Sequence, residues 1–444
     1  MIKTIILHGY SDDYKSFIPL RTFLAANGLN VTEIGLGNYI TLEDHITIED
    51  LAKAFDAVLK IKGIPTEPGS FDLIVHSTGG LVAREWLARY YLETGLGCPV
   101  KHLLMLAPAN FGSPLAQLGQ TMFGRIVKGW QSNFEVGTQV LQALELASPY
   151  SWRLARRDLF GAKSFFDPAV CMTAVFVGSV PYQQGLRQIV NKNGSDGTVY
   201  VATANLNATA LSLVFPADKQ VPVMKAWSKT AQPVAFAVFP NRTHESITLP
   251  DTLPGDFGLL ILRFLRLVPA DYPQFFADCK ALTAQTLPTA GPDPDNPYFH
   301  RYQNLVTRVA DDLGMEVSDY FLEFYARPHT AEDEVSIDQL MLDVHSQVIQ
   351  DVHNFKNDES YRSMIFDLNQ LDTILAGGKQ LMFSLSAAGP SDLIDYSVGA
   401  NNNVGELPVD QNSPNFPLFF RPNETLLLDI VVERTQDSDV FTLL

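Results

Sequence analysis

One serine of this chain stands where a buried strand turns sharply into a helix. Residues 72–75 indicate the strand, Ser77 follows in the turn, and Gly79 and Gly80 open the helical pattern. A serine hydroxyl is a poor nucleophile unless a base lies beside it. A strand–turn–helix exposes the hydroxyl and directs backbone N–H groups of the helix N-terminus toward it. The pattern therefore predicts that Ser77 is a nucleophile for acyl transfer.

The turn departs from the usual Gly-x-Ser-x-Gly pattern at one position. Val75 stands where the first glycine belongs, and Gly79 keeps the second. Strand and helix nearly touch at such a turn, so a β-branched side chain there requires a shifted helix or a small neighbour. An ordinary strand–turn–helix with an incidental serine is the competing interpretation.

The base that would activate Ser77 is found by elimination among nine histidines. When a serine follows a strand of a parallel sheet in this way, the chain order is serine, acid, histidine. Within the first 270 residues only His102 and His244 follow Ser77. His102 begins the next strand, at the wrong end, whereas His244 comes just after the last strand. The order and the strand ends predict His244 as the general base.

The acid that would hold the histidine in the required tautomer is predicted from a turn. Asp196 lies in the run Asn-Gly-Ser-Asp-Gly-Thr-Val at 193–199, after the strand that ends near residue 177. This composition favours a turn, and a loop in this place commonly carries the acid of a Ser–His–Asp triad. Asp196 is therefore the predicted acid. Asp167, which precedes that strand, and Asp218, in a possible turn, remain alternatives.

Two backbone N–H groups are predicted to stabilise the negative oxygen of the tetrahedral intermediate. The first strand ends in His8-Gly9-Tyr10, and an apolar strand followed by His-Gly is the usual place for one donor. The residue after the nucleophile supplies the other. We therefore expect the N–H groups of Tyr10 and Thr78 to form the oxyanion hole. This chemistry requires no metal and no cofactor.

Strand-like and helix-like segments alternate along the first 270 residues and would position these groups. The strand-like runs are 4–7, 31–36, 71–76, 100–107, 171–177 and 234–238, and the helical ones are 14–26, 48–61, 81–91 and 257–267. This alternation predicts a mostly parallel sheet with helices on both faces. Together with the serine turn and the chain order, it indicates an α/β-hydrolase fold.

The remaining chain is predicted to form a lid, a linker and a second domain. Residues 111–166 show only helical patterns and are expected to form a cap or lid within a catalytic domain of residues 1–270. Prolines mark 271–297 as a linker. Residues 298–444 carry strand-like runs and predict a C-terminal antiparallel β-sandwich-like domain. These runs are 302–310, 320–326, 341–349, 363–368, 380–386 and 425–432.

Composition narrows the classes of partner. Hydrophobic residues make up 46% of the 444, charged residues 18%, and the formal net charge is −17. Such a surface repels nucleic acid, and membrane contact must then be mainly apolar or confined to a patch such as Arg153, Arg156 and Arg157. Three widely spaced cysteines indicate buried reduced thiols rather than disulfides.

Neither a signal peptide nor a transmembrane helix is predicted. The apolar start at 4–7 is too short for a signal sequence. The best apolar stretch, 257–268, is broken by Arg263 and Arg266. The expected location is therefore cytoplasmic synthesis, with peripheral membrane association at most.

The serine turn resembles that of a known family. Val75-His76-Ser77-Thr78-Gly79 is similar to the Thr-His-Ser-Thr-Gly turn of the bacterial membrane-associated phospholipase A/lysophospholipase family (phospholipase B, PlaB-like), and it differs only at the first position. The resemblance extends over the whole chain. It implies hydrolysis of the acyl esters of glycerophospholipids and lysophospholipids, peripheral membrane association and homo-oligomers.

Two other functions are consistent with the residues. One is a soluble carboxylesterase or thioesterase that acts on small acyl substrates. The other is a catalytically silent scaffold whose β-domain binds partners. The order of Ser77, Asp196 and His244 along the chain argues against the scaffold. The length of the acyl chain that is cleaved would separate the two enzymes.

Overall fold

The structure is a computed structural model. It describes residues 2–8, 14–34, 44–118, 137–182, 188, 191–217, 221–250, 257–287, 296–327, 337–376, 378–391, 393–396 and 403–436. The chain divides into two compact units. The first unit comprises Met1–Asn207 and Thr230–His300, and the second comprises Ala208–Lys229 and Arg301–Leu444.

The described strands, in chain order, are β1 (Lys3–Leu7), β2 (Asn30–Ile34), β3 (Phe71–His76), β4 (Val100–Leu106), β5 (Met172–Gly178), β6 (Ala208–Phe215), β7 (Val223–Lys229), β8 (Ala235–Phe239), β9 (Tyr302–Asp311), β10 (Tyr320–Arg327), β11 (Ile349–Asn354), β12 (Tyr361–Asp367), β13 (Gln380–Ala387), β14 (Ile394–Asp395), β15 (Asn403–Pro408), β16 (Thr425–Val432) and β17 (Thr435–Gln436).

The described helices are α1 (Ile18–Ala26), α2 (Ile48–Ile61), α3 (Gly79–Leu87), α4 (Thr138–Leu144), α5 (Pro149–Asp158), α6 (Val201–Ala204), α7 (Phe257–Leu265), α8 (Tyr272–Thr286), α9 (Ile337–Asp343), α10 (Leu368–Leu375) and α11 (Phe416–Phe419). Helix α3 continues as a π-helical turn, Ala88–Leu92, and α9 continues as another, Val344–Val348.

The first unit is built on a six-stranded sheet in the order β2-β1-β3-β4-β5-β8. Every pair of neighbours is parallel. Strands β3, β5 and β8 are buried along their whole length, as expected where helices cover both faces. The predicted parallel sheet is confirmed. The carboxyl ends of its strands lie along one edge, where ligands bind in such sheets.

An edge strand of this sheet is completed by side chains of a helix. The N–H of Ala235 in β8 donates to the hydroxyl of Tyr272 at 2.9 Å, and that of Val238 donates to Thr283 Oγ1 at 3.2 Å. Both partners belong to α8, which also buries Phe275 and Cys279. Covering an edge in this way blocks pairing with other strands.

The described part of the predicted insertion at 111–166 contains helices joined by turns. Helices α4 and α5 lie within it. The N-cap hydroxyl of Ser148 accepts the N–H of Tyr150, and Pro149 occupies the first turn of α5, a position where proline is well tolerated. Residues 119–136 of the predicted lid lie outside the described residues.

The second unit has two main sheets around one apolar core. A six-stranded sheet has the order β11-β12-β9-β16-β6-β7, and a three-stranded sheet has the order β10-β13-β15. The expectation of an antiparallel sandwich is wrong at one strand, because β16 runs parallel to both β9 and β6. Its neighbour β6 comes from more than 200 residues earlier, so no tight hairpin forces the antiparallel direction.

The strand predicted at 341–349 is also wrong, since residues 341–348 belong to α9 and its π-helical continuation, and a strand begins only at Ile349. Leu340, Val344 and Val348 are buried at steps of four, which is the spacing of one helical face. A short apolar run does not by itself distinguish a buried strand from a helix.

The division of the chain differs from the predicted one in two places. The hairpin β6–β7 interrupts the first unit in sequence but belongs to the second. The segment predicted as a linker, 271–297, begins with the packed helix α8 of the first unit. Residues 288–295, which carry three of its prolines, lie outside the described residues.

Candidate active site

Ser77 adopts a backbone conformation that non-glycine residues rarely take. Its φ is 53°, in the left-handed region that costs of order 1–3 kcal/mol. Hydrogen bonds hold it there, because its N–H donates to the Leu106 carbonyl at 3.2 Å and its carbonyl accepts from Gly80 and Ala109 at 3.0 and 3.3 Å. Strand β4 and the segment after it therefore fix the turn that presents the hydroxyl.

Two glycines allow helix α3 to approach the sheet behind Ser77. A Cβ on Gly80 would lie 2.7 Å from the Cβ of Pro108, which is too close. A Cβ on Gly79 would lie 3.1 Å from the Leu7 carbonyl oxygen and 3.5 Å from the Val75 Cβ. The close contact that Gly79 avoids is therefore the one with the end of β1, whereas a contact with Val75 would have ordinary van der Waals length.

The structure brings the three predicted triad residues together. Nε2 of His244 lies 3.1 Å from Ser77 Oγ, and its Nδ1 lies 2.9 Å from Asp196 Oδ2. Both distances are those of hydrogen bonds. The carboxylate can only accept, so the proton of a neutral imidazole sits on Nδ1 and leaves Nε2 free to take the serine proton.

Asp196 is held by its own turn. It is fully buried, and its Oδ1 accepts the N–H groups of Thr198 and Val199, each at 2.9 Å. Gly197 has a φ of 96°, and the Tyr182 ring lies so close that a Cβ there would be 2.7 Å from it. These contacts leave Oδ2 as the oxygen that faces His244.

The loop that carries His244 is fastened at several points. The His244 N–H donates to the Asp196 carbonyl at 2.9 Å. The guanidinium of Arg242 donates to the Ser246 and Leu249 carbonyls, each at 3.0 Å. A side chain on Gly178 would overlap the Arg242 carbonyl oxygen. The base therefore reaches Ser77 on a loop that is tied to the acid's backbone.

Of the two predicted oxyanion donors, the structure describes one. Thr78 is buried at the start of α3, and among the described residues its N–H has no hydrogen-bond acceptor. A helix N-terminus with such an N–H suits a developing oxyanion. Tyr10 lies outside the described residues and stays a prediction.

The residues that the sequence offered as alternatives for the base and the acid bind other partners, where the structure describes them. His102 is buried away from Ser77, between Asp72 Oδ1 at 2.7 Å and the Leu267 carbonyl at 2.9 Å. Asp167 accepts the N–H of Ala169 in the turn before β5. Asp218 lies outside the described residues.

The cysteines do not offer a competing nucleophile. All three are free and buried. Burial raises the pKa of the Cys279 thiol to about 12, and it raises the pKa of Cys171 well above its ordinary value. A thiol that stays protonated is a poor nucleophile. Within the described ranges, no group of His, Cys, Asp and Glu is arranged to hold a metal ion.

Sequence reasoning missed one residue beside the triad. His76, which precedes Ser77, is buried, and its Nε2 lies 2.9 Å from the carbonyl oxygen of His244. The sequence shows His76 as part of the turn that resembles the PlaB-like family, but it does not predict the contact with the loop of His244. A polar ring at the end of a wholly buried strand was the available signal.

The chain was compared with known proteins in sequence and in structure. No protein-family model and no curated protein sequence matches the chain. Phospholipase PlaB from Legionella pneumophila matches in structure with a TM-score of 0.79 at 25% identity, covering 100% of this chain and 96% of that chain. The chain is PlaB-like in fold. PlaB in complex with thio-NAD matches with a TM-score of 0.77 at 26% identity and the same coverage.

The PlaB-like fold extends over both units, because the match leaves no part of this chain uncovered. The resemblance inferred from the serine turn is therefore confirmed, as is the α/β-hydrolase fold of the first unit. Among the described helices, none combines the length and apolarity that crossing a membrane requires.

Proposed function

We propose that this chain is a serine hydrolase that cleaves the acyl esters of glycerophospholipids and lysophospholipids. The observation that carries the proposal is the unbroken hydrogen-bonded series from Ser77 through His244 to Asp196. Ser77 and His244 lie 167 positions apart, and Asp196 and His244 lie 48 apart, yet the three meet with the geometry of acyl transfer. The PlaB-like fold supports the lipid substrate, since the matched protein is a phospholipase.

The mechanism follows from the atoms present. His244 Nε2 takes the proton of Ser77 as Oγ attacks the ester carbonyl carbon, and the carbonyl oxygen becomes an oxyanion. The imidazolium then gives that proton to the leaving alcohol, and an acyl-enzyme remains. Water, deprotonated by His244, attacks the acyl carbon, and Ser77 leaves with a proton as the fatty acid is released.

Two environments stabilise the charges that form. The Asp196 carboxylate lies against the imidazolium and is itself fixed by the N–H groups of Thr198 and Val199. The Thr78 N–H, with Tyr10 as the second proposed donor, stabilises the oxyanion. Removal of one such donor in comparable enzymes costs roughly 10²–10³ in kcat. The chemistry proceeds without a cofactor.

Peripheral membrane contact and self-association belong to the same proposal. A phospholipase must take its substrate from a bilayer or micelle surface. The match to PlaB over the whole chain favours a shared mode of action that involves both units.

The proposed function is tested by replacing the nucleophile. Ser77→Ala removes the attacking oxygen, and we expect hydrolysis of phosphatidylcholine, lysophosphatidylcholine and a short-chain p-nitrophenyl ester to fall by roughly 10³-fold or more. A fluorophosphonate probe should label the wild type and not the variant. Ser70→Ala is the matched control, because Ser70 is half-buried just before β3 and its hydroxyl donates to the backbone carbonyls of Pro65 and Pro99.

Each outcome of this test selects one function. Fatty acid release from both phospholipids supports the proposal. Cleavage of the short ester alone would replace it with the soluble esterase or thioesterase. Activity of Ser77→Ala close to that of the wild type would refute the nucleophile, and an inert wild type would favour the scaffold.

A further inference from the structure

His76 contacts the general base at its backbone. Its Nε2 lies 2.9 Å from the carbonyl oxygen of His244, and the two imidazole rings are 4.7 Å apart between centroids. A carbonyl oxygen has no hydrogen to give, so His76 Nε2 must carry the proton and donate it. His76 is therefore held as the Nε2–H tautomer.

The adjacent residues His76 and Ser77 contact two different atoms of His244. Ser77 Oγ contacts the ring of His244, and His76 Nε2 contacts its backbone oxygen. In a regular strand adjacent side chains point to opposite faces. The turn at Ser77, with its φ of 53°, places both side chains against His244 instead.

Aromatic side chains pack against the His76 ring. The Phe17 ring meets it edge-on at 5.7 Å between centroids, and His8 stacks on Phe17 at 4.3 Å. All three residues are about 1% exposed or less. A ring fixed on this side leaves the His76 N–H little freedom to move away from the His244 carbonyl.

We propose that His76 is a positioning residue that sets the distance between the general base and the nucleophile. The inference rests on the proposed function, because it assigns His76 no chemical step of its own. Without its N–H the His244 backbone loses one of the two anchors that face the nucleophile turn and the acid. A displacement of about 1 Å at a reacting group can cost roughly 10²-fold in rate.

The test compares side chains that keep or lose the donor at the Nε2 position. His76→Gln places an amide N–H where Nε2 lies, His76→Phe keeps a ring without a donor, and His76→Asn is too short to reach. With a soluble short-chain ester, we expect the Phe and Asn variants to lose about 10- to 100-fold in kcat. Their KM should stay within about twofold, and His76→Gln should recover most of the rate.

A second measurement does not depend on turnover. The proton between His244 Nδ1 and Asp196 should give a downfield ¹H NMR signal that broadens or disappears in the Phe and Asn variants and persists in the Gln variant. Two donor-less variants protect the comparison against one that fails to fold. Wild-type kcat in either of them, or an equal loss in His76→Gln, would overturn the proposal.

The test of His76 can fail or succeed independently of the test of the proposed function. Ser77→Ala should abolish turnover while the Nδ1 proton signal persists, since the bond between His244 and Asp196 does not involve the serine. If the wild type hydrolyses no ester, the proposed function fails, and the NMR comparison still decides whether His76 positions His244.

Discussion

Val75, which stands where the usual turn has a glycine, is fully buried two residues before the nucleophile. The sequence shows only that a glycine is missing from the usual turn, and the structure shows that Val75 would lie at an ordinary contact distance, 3.5 Å, even from a Cβ on Gly79. Ser77, Asp196 and His244 could be predicted because each follows a strand whose carboxyl end lies at one edge of the sheet. His76 could not, because its role depends on a loop that lies 168 positions away in sequence.

At the residue scale, we expect Gly80→Ala to damage the turn. Its new Cβ would lie 2.7 Å from the Cβ of Pro108, and overpacking of this kind costs about 1–3 kcal/mol. Pro108 precedes Ala109, whose N–H binds the Ser77 carbonyl, so ester hydrolysis should also fall. Urea denaturation and initial rates measure both effects. Unchanged stability with full activity would show that the turn has more room than described.

Helix α3 is tied to the insertion by a buried ion pair. Arg84 donates from Nε and Nη2 to Asp158 of α5 at 2.8 and 2.9 Å, and from Nη1 to the Asn110 carbonyl at 3.0 Å. Both charged side chains are fully buried. The nucleophile helix, the segment after β4 and helix α5 are therefore linked through one guanidinium.

At the element scale, breaking this pair should be costly. Arg84→Met leaves the Asp158 carboxylate buried without its partner, a change that typically costs about 3–5 kcal/mol. The double variant Arg84→Met/Asp158→Leu should recover much of that loss. Lys53→Met is the control, because Lys53 and its partner Asp50 are both exposed and the loss should stay below about 1 kcal/mol. Free energies of unfolding from denaturant titration test all three, and additive losses would contradict the coupling.

Elements of the first unit were easier to predict than those of the second. Continuous apolar runs between helical patterns can form little other than buried parallel strands. In the second unit the run at 341–349 has the spacing of a helix and the composition of a strand. Helix α8 was hidden because the prolines beyond it mark the whole stretch as a linker.

Net charge governs how the whole molecule would meet a bilayer. The chain carries −17, and Arg157, one of three arginines that could offset it locally, is engaged with Glu85 and Glu93. Arg153 and Arg156 alone remain exposed in that patch. Membrane contact should therefore depend on apolar side chains.

At the scale of the whole molecule, we predict how vesicle binding depends on the charge of the lipid and on the salt concentration. We expect binding to phosphatidylcholine vesicles to persist at about 0.5 M salt, and added phosphatidylglycerol to weaken binding at low salt, because like charges repel until screened. Vesicle co-sedimentation measures both. Tighter binding to anionic vesicles that is lost on adding salt would instead assign the contact to the arginine patch.

The two units are also interleaved along the chain. The sequence did not predict this, because a pattern read along the chain divides it into consecutive segments. The hairpin β6–β7 lies between the turn of Asp196 and the loop of His244, yet its strands join the sheet that the C-terminal residues build. No single break in the gene separates one complete unit from the other. Recombination that exchanges whole domains would therefore leave a catalytic unit with an orphan hairpin and a partner sheet short of two strands.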